Sequence, residues 1–210
     1  MFRRNFTRTP AFLAGLALAT LVLVPFSSFA KQDGGDAAGG MQDMMEMMKK
    51  WATPGPEHQM LNRFIGEWET ETSLMYLGQK MGSSKGSATF EWLLDGRWVQ
   101  QHSTGSMMGM PIESYSTMGY DKFRKNFVAT TVSTMDTAMN RVEGDFTQDG
   151  QTLIMYGYID EYLTGELCKW VKGVYRFQGD DTIIFEIHDL AIGEGDQKTQ
   201  VIEVKYTRKK

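Results

Sequence analysis

Three histidines, His58, His102 and His188, are the side chains best suited to metal or acid–base chemistry in this sequence of 210 residues. No two of them are close in sequence, so a zinc site built on imidazoles would need distant residues to converge. One histidine suffices to bind haem in an apolar barrel, and His188 is the candidate axial ligand because it follows the apolar strand pattern that starts at Ile183. A position beside Glu186 on an outward face is the alternative, and the sequence favours it.

The 16 methionines offer a second metal chemistry. The runs at residues 44–48 and 107–110 contain thioethers that suit Cu(I), a soft ion. Thioethers also pack well, and methionines on one helical face more often form an adaptable apolar surface. We therefore predict no cofactor or metal and keep haem and Cu(I) as the alternatives.

No catalytic residue is assigned. The segment Gly82–Gly86 fits the Gly-x-Ser-x-Gly pattern of hydrolases around Ser84, but that pattern needs a helix after the serine and a strand follows here. Glu69 and Glu71 alternate with Trp68, so they point outward if Trp68 points inward. The sequence leaves open whether a reaction is catalysed and favours a protein that does not catalyse one.

The first 30 residues have the pattern of an export signal. Three arginines precede an apolar run from Ala11 to Val24, and small residues precede a cut after Ala30. The run is too short for a permanent membrane anchor, so we expect an exported protein, periplasmic or secreted, with no stable membrane insertion. Removing the signal leaves 19 basic against 26 acidic residues, a formal charge of −7, which disfavours nucleic acid as a partner.

Three further regions follow the signal. Residues 31–40 are rich in glycine and read as a flexible linker. Residues 41–52 form a methionine-rich amphipathic helix whose apolar face would serve docking or self-association. Residues 54–210 form the main domain, which starts with a short helix over Glu57–Phe64.

From Gly66 onward the apolar pattern has a period of two, interrupted by turn signals about every ten residues. We predict ten strands, at about 66–77, 85–94, 97–106, 112–121, 127–134, 140–147, 152–161, 168–178, 182–191 and 198–208. The joints are too short for crossover helices, so successive strands should pair antiparallel. Closing such a meander into a barrel removes its exposed edges, and a two-sheet sandwich is the alternative.

Two sets of motifs carry a family resemblance. Gly66-Glu67-Trp68 in the first strand and Arg208 in the last resemble the pattern of the calycins, which include lipocalins and fatty-acid-binding proteins. The segments at 54–58, 66–68, 107–111, 119–121 and 206–210 together resemble a bacterial family known as domain of unknown function 1579. The resemblance implies an all-β, calycin-like barrel of about ten strands, with Trp68 and Arg208 closing its floor, and it implies no activity.

A ten-stranded barrel leaves an internal cavity unless side chains fill it. We therefore expect the protein to bind a small apolar or amphipathic molecule, with a structural or interaction role for the methionine-rich helix as the alternative. Alternation along the first three strands predicts the lining residues Trp68, Thr70, Thr72, Leu74, Phe90, Trp92, Trp98, Gln100 and His102.

Overall fold

The computed structural model describes residues 37–161, 164–190 and 199–210. The described residues fall into two compact units that divide between Glu46 and Met47, and the second contains all the described strands. The predicted export signal and the first six residues of the predicted linker lie outside the described residues. No helix in the described ranges is long and apolar enough to cross a membrane.

The predicted barrel is confirmed. Ten antiparallel strands close in the order β1-β10-β9-β8-β7-β6-β5-β4-β3-β2, so each strand pairs with its neighbour in sequence and β1 pairs with β10. The helices are α1 (Ala37–Ala52), α2 (Pro56–Gln59) and a 3₁₀ helix (Met60–Arg63). The strands are β1 (Gly66–Tyr76), β2 (Gln79–Leu93), β3 (Trp98–Met107), β4 (Met110–Asp121), β5 (Asn126–Ser133), β6 (Asn140–Phe146), β7 (Thr152–Glu161), β8 (Glu166–Gln178), β9 (Thr182–Asp189) and β10 (Gln200–Arg208).

The closing pair of strands runs in unbroken register. Trp68 lies opposite Arg208, and Leu74 lies opposite Ile202. Because closure pairs the backbone groups of both terminal strands, the meander presents no free sheet edge. The alternative of two stacked sheets is therefore wrong.

Three local features differ from the sequence expectations. Helix α1 begins at Ala37, so the last four residues of the predicted linker are helical. Strand β2 begins at Gln79 because Leu77 and Gly78 (φ 49° and 77°) form the whole turn after β1, and the residues before Ser84 therefore pair instead of looping. A free cysteine is usually buried, but Cys168 is exposed and has a φ of 56°.

Candidate functional site

The end of the barrel next to the 3₁₀ helix is filled by aromatic side chains. Phe64 is fully buried, and its ring centroid lies 5.5 Å from that of Phe90, 5.2 Å from Tyr175 and 5.0 Å from Phe177. Leu61, one turn earlier, is also fully buried. We call this region the closed half of the lumen.

The floor of the closed half is formed by residues from the first and the last strand of the barrel. The Arg208 guanidinium lies 4.1 Å from the Trp68 ring centroid, so the structure brings together the two residues that the resemblance pairs. The same guanidinium donates to the carbonyl oxygens of Ile65 (2.6 Å) and Arg63 (3.0 Å). Gly66 has a φ of 124°, and a Cβ there would lie 2.8 Å from Arg208 Nη1, which explains the glycine of the Gly-x-Trp motif.

Little free space remains in the closed half. The cavity between Phe64, Phe90 and Met118 measures about 10 Å³. That is room for about one water molecule. A ligand therefore has no space here without displacing core side chains.

A hydrogen bond across the lumen marks the boundary of the closed half. Gln101 Nε2 on β3 donates to the Tyr206 hydroxyl on β10 (3.2 Å) and to Ser103 Oγ (2.6 Å). Strands β1 and β2 lie between these two strands in the barrel wall, so the Tyr206 side chain reaches across the interior. Gln101 contacts the cavity beside Phe64, and Ser103 is the next inward residue toward the other end of the barrel.

Beyond this boundary the inward residues are partly accessible to water. Phe185, Ile187, Ile202 and Val204 belong to the inward face by their register, yet all four are partly exposed. Inward residues of the closed half, such as Ile183 at 1%, are buried. We call this region the open half.

The open half has two chemically different walls. The hydroxyl wall comes from β1 to β5 and includes Thr70, Thr72, Ser84, Ser103, Ser114, Ser116, Thr131 and Ser133, with Ile112 at its end. The mainly apolar wall comes from β6 to β10 and the end of β1 and includes Leu74, Val142, Ile159, Val171, Phe185, Ile187, Ile202 and Val204. The inward phase of this wall also carries the polar residues Asn140, Lys169 and Asp189. Such a division suits a molecule with one polar and one apolar side.

Tyr175 places a polar group at the floor of the open half. Its ring stacks on Phe185 at 4.1 Å, and the residue is 9% exposed. No described residue hydrogen-bonds to its hydroxyl. Burial, with a smaller contribution from the charge of Tyr206, raises the pKa of Tyr175 well above its usual range, so the hydroxyl is a neutral donor. The hydroxyl oxygen is not among the fully buried polar atoms of the described residues, so it faces accessible space and can donate to an acceptor there.

Charged residues bridge three strands where β7, β8 and β9 approach the end of the open half. Lys169 Nζ lies 2.7 Å from Asp189 Oδ2 and 3.9 Å from Glu161 Oε2. The hydrogen bond with Asp189 is the main cause that raises the pKa of Lys169, so it remains charged. These ion pairs hold the three strands together at this rim.

The nine predicted lining residues fall into three groups. Thr70, Thr72 and Leu74 lie in the open half. Trp68, Phe90 and Trp92 belong to or pack on the buried core of the closed half, where they fill space instead of lining it. The third group is Trp98, Gln100 and His102 on β3, and its predicted orientation is wrong.

The structure places the alternation of β3 one residue out of phase with the prediction. Val99 and Gln101 are the buried residues, at 2% and 8% exposure. Trp98 lies on the outer face, where its ring packs over Gly119. A Cβ at Gly119 would clash with the Trp98 ring. His102 also faces outward, 2.8 Å from Glu113 and stacked on Tyr115 at 4.5 Å.

In the described part of the chain, the structure does not support the haem, hydrolase or zinc-site alternatives considered from the sequence. His188 is 3% exposed and lies on the face of β9 that carries Glu186, 3.3 Å from that carboxylate, so it does not point into the lumen as a haem ligand would. Ser84 donates to the Ser106 carbonyl within a strand, so it lacks the turn of a hydrolase nucleophile. Among the described residues, no group of three or more His, Cys, Asp or Glu side chains is placed to bind a metal ion.

Sequence reasoning missed Gln101, Tyr175 and Tyr206, which form the boundary of the two halves. Tyr175 and Tyr206 both sit on the inward phase of their strands, which the sequence shows once the barrel is assumed. The hydrogen bond between Gln101 and Tyr206 joins residues that are 105 positions apart. No local pattern indicates such a contact.

Comparison with known proteins agrees with this architecture. The family model described as "Protein of unknown function (DUF1579)" matches residues 53–208. A search of curated proteins returned no match.

Rv2717c is a solved structure with the same fold at low sequence identity, and two further solved structures are less similar. Rv2717c from M. tuberculosis matches with a TM-score of 0.53 and 13% identity, over 75% of this chain and 100% of that chain. The S-type phycobiliprotein lyase CPES from Guillardia theta matches with a TM-score of 0.48 and 13% identity, over 77% and 97%. EF1p2_mFAP2b, solved bound to DFHBI, matches with a TM-score of 0.37 and 10% identity, over 73% and 99%. At 13% identity the likeness to Rv2717c concerns the fold alone.

Proposed function

We propose that this chain, which belongs to the DUF1579 family and folds as a calycin-like barrel, binds a small amphipathic molecule in the open half of its lumen without transforming it. One observation carries the proposal: the Tyr175 hydroxyl, to which no described residue hydrogen-bonds, lies at the floor of a lumen that has one hydroxyl wall and one apolar wall.

The two walls define the chemistry of the ligand. The apolar wall favours an aliphatic or alicyclic body, at about 25 cal/mol per Å² of apolar surface removed from water. The hydroxyl wall and Tyr175 favour a polar end that accepts hydrogen bonds, such as a carbonyl or carboxyl oxygen. Because the closed half is filled, the ligand is shorter than the full barrel.

Titration with 11-(dansylamino)undecanoic acid, an amphipathic fluorescent probe, tests the proposal. We expect saturable binding with a blue shift of the dansyl emission. Ser114→Trp fills the open half and should weaken binding by at least about tenfold. Tyr175→Phe removes one donor and should weaken it by about fivefold.

Thr104→Trp is the matched control. Thr104 lies on β3 beside Ser103 but faces outward and is exposed, so the same indole there leaves the lumen unchanged. Equal weakening by Ser114→Trp and Thr104→Trp would place the probe outside the lumen and contradict the proposal. A native protein that gives no emission change with the probe would contradict it as well.

An exported location is a separate part of the proposal and rests on the pattern of the first 30 residues. Mass spectrometry of the protein recovered from its own host should give a mature chain that starts at Lys31. Recovery of the chain with Met1 in place would contradict export and leave the ligand proposal untouched.

A further inference from the structure

A groove of about 660 Å³ lies beside the closed half of the barrel and is separate from the open half of the lumen. It is bounded by the last residues of α1, the segment before α2, the start of β3 and the turn between β4 and β5. The proposed ligand site in the lumen does not use any of these side chains.

His58 supplies a hydrogen-bond donor to the groove. It is 4% exposed, and its Nδ1 accepts the Gly55 N–H at 3.0 Å, so the ring proton of the neutral form is on Nε2. No described residue accepts a hydrogen bond from this Nε2. Burial is the main cause that lowers the pKa of His58, which keeps the ring neutral.

Two cations give the groove a positive character. Lys122 Nζ donates to the carbonyl oxygens of Lys50 (2.6 Å) and Thr53 (2.8 Å), which fixes its position without neutralising its charge. Arg97 donates to the Leu94 carbonyl, and its nearest carboxylate is 4.0 Å away.

One carboxylate also lines the groove. Asp121 Oδ1 accepts the backbone N–H groups of Phe123 (2.9 Å) and Arg124 (3.0 Å), so its charge is partly engaged by the turn between β4 and β5. Two further carboxylates act at the edge of the groove: Asp95 lies 4.0 Å from Arg97, and the charge of Glu57 acts on His58. The attraction for an anion therefore comes from the local donors Arg97, Lys122 and His58 and not from a net charge of the groove.

Aromatic rings form the remaining walls. Trp51 meets Phe123 edge to face, with ring centroids 5.6 Å apart. Trp98 and Tyr120 also line the groove. No described residue hydrogen-bonds to the Tyr120 hydroxyl, which is a second unpartnered donor. Aromatic walls beside cations suit a flat ring that carries a negative group.

We propose that this groove is a second binding site, specific for small planar aromatic carboxylates. The carboxylate accepts hydrogen bonds from His58 and Arg97, and the aromatic body packs on Trp98 and its aromatic neighbours. The site is independent of the lumen, since no residue is shared between them.

Calorimetric titration of the full chain with 2-naphthoate and with its neutral analogue 2-naphthalenemethanol tests this site. We expect the alcohol to bind at least about tenfold more weakly, because it lacks the charge that the cations attract. Arg97→Gln should weaken naphthoate binding by about tenfold. His58→Asn keeps an acceptor for the Gly55 N–H but removes the donor, and it should weaken binding by about fivefold.

Two controls make the result decisive. Arg124→Gln removes a nearby cation that does not line the groove and should leave naphthoate binding unchanged. Ser114→Trp, which blocks the lumen, should also leave it unchanged, so failure of one site is distinguishable from failure of the other. Equal binding of acid and alcohol, an equal loss with Arg97→Gln and Arg124→Gln, or loss with Ser114→Trp would each overturn the proposal.

Discussion

The closed and open halves of the lumen share the same ten strands but differ in what their inward residues do. In the closed half Phe64, Trp68 and Leu153 are completely buried. In the open half Ile187 and Ile202 face inward and remain partly exposed. The difference shows that one barrel can contain a packed end, whose rings stabilise the fold, and an end whose inward residues are accessible to water.

The largest expected effect is loss of the central ring of the closed half. Phe64→Ala removes contacts with three other rings and should destabilise the protein by about 3–5 kcal/mol, because the surrounding strands cannot collapse into the space. Urea denaturation followed by tryptophan fluorescence measures it. The control Phe123→Ala removes a ring that is 81% exposed and should leave the urea midpoint nearly unchanged. Equal effects of the two variants would contradict the assignment of the closed half.

Two isoleucines on one strand compare the halves directly. Ile183→Ala, at 1% exposure, should cost about 3 kcal/mol, whereas Ile187→Ala should cost about 1 kcal/mol because its side chain is already partly in water. The same urea experiment gives both values. If Ile187→Ala costs as much as Ile183→Ala, the open half is packed and the comparison fails.

The floor of the closed half depends on the shape of one guanidinium. Arg208→Lys keeps the charge but cannot satisfy the carbonyls of Ile65, Arg63 and Asp180 together, so we expect a loss of about 2 kcal/mol in the free energy of unfolding. Lys209→Ala is the control, since its contact with Glu67 is exposed at 3.7 Å. If Arg208→Lys is as stable as the native protein, the positive charge at this position is sufficient and the shape of the guanidinium is not needed.

The boundary between the halves should respond to alkaline pH. Burial raises the pKa of Tyr206 from 10 to about 12, so the folded state retains a proton that the unfolded state releases. Stability is therefore complete below pH 10 and falls as the pH rises toward 12. We expect a loss of about 1 kcal/mol between pH 9 and pH 11 from this group.

Urea denaturation at each pH measures that loss, and Tyr206→Phe should reduce it. The control Tyr158→Phe, at an exposed position, should leave that loss of stability unchanged. A pH dependence that is the same in the native protein and in Tyr206→Phe would rule out a retained proton on this hydroxyl.

The local sequence pattern predicted the strands correctly, but it did not predict which face of β3 points into the lumen. The period of two and the short joints were sufficient to predict ten strands and their closure. On β3, however, Trp98 and Val99 are adjacent and both apolar, so either phase was compatible with burial. Gly119 on the next strand determines the orientation of β3, because the absence of a side chain there leaves space for the Trp98 ring on the outer face.

The sequence by itself determined the barrel, since alternation and turn chemistry act over a few residues and leave little choice of topology. The Trp68 and Arg208 pair was implied by the resemblance to the calycin pattern, and the structure shows the contact. Only the tertiary structure decided that the lumen is filled at one end and open at the other. Filling depends on side chains from distant strands meeting in one place, as Gln101 and Tyr206 do, and such contacts carry no signal in the order of residues along the chain.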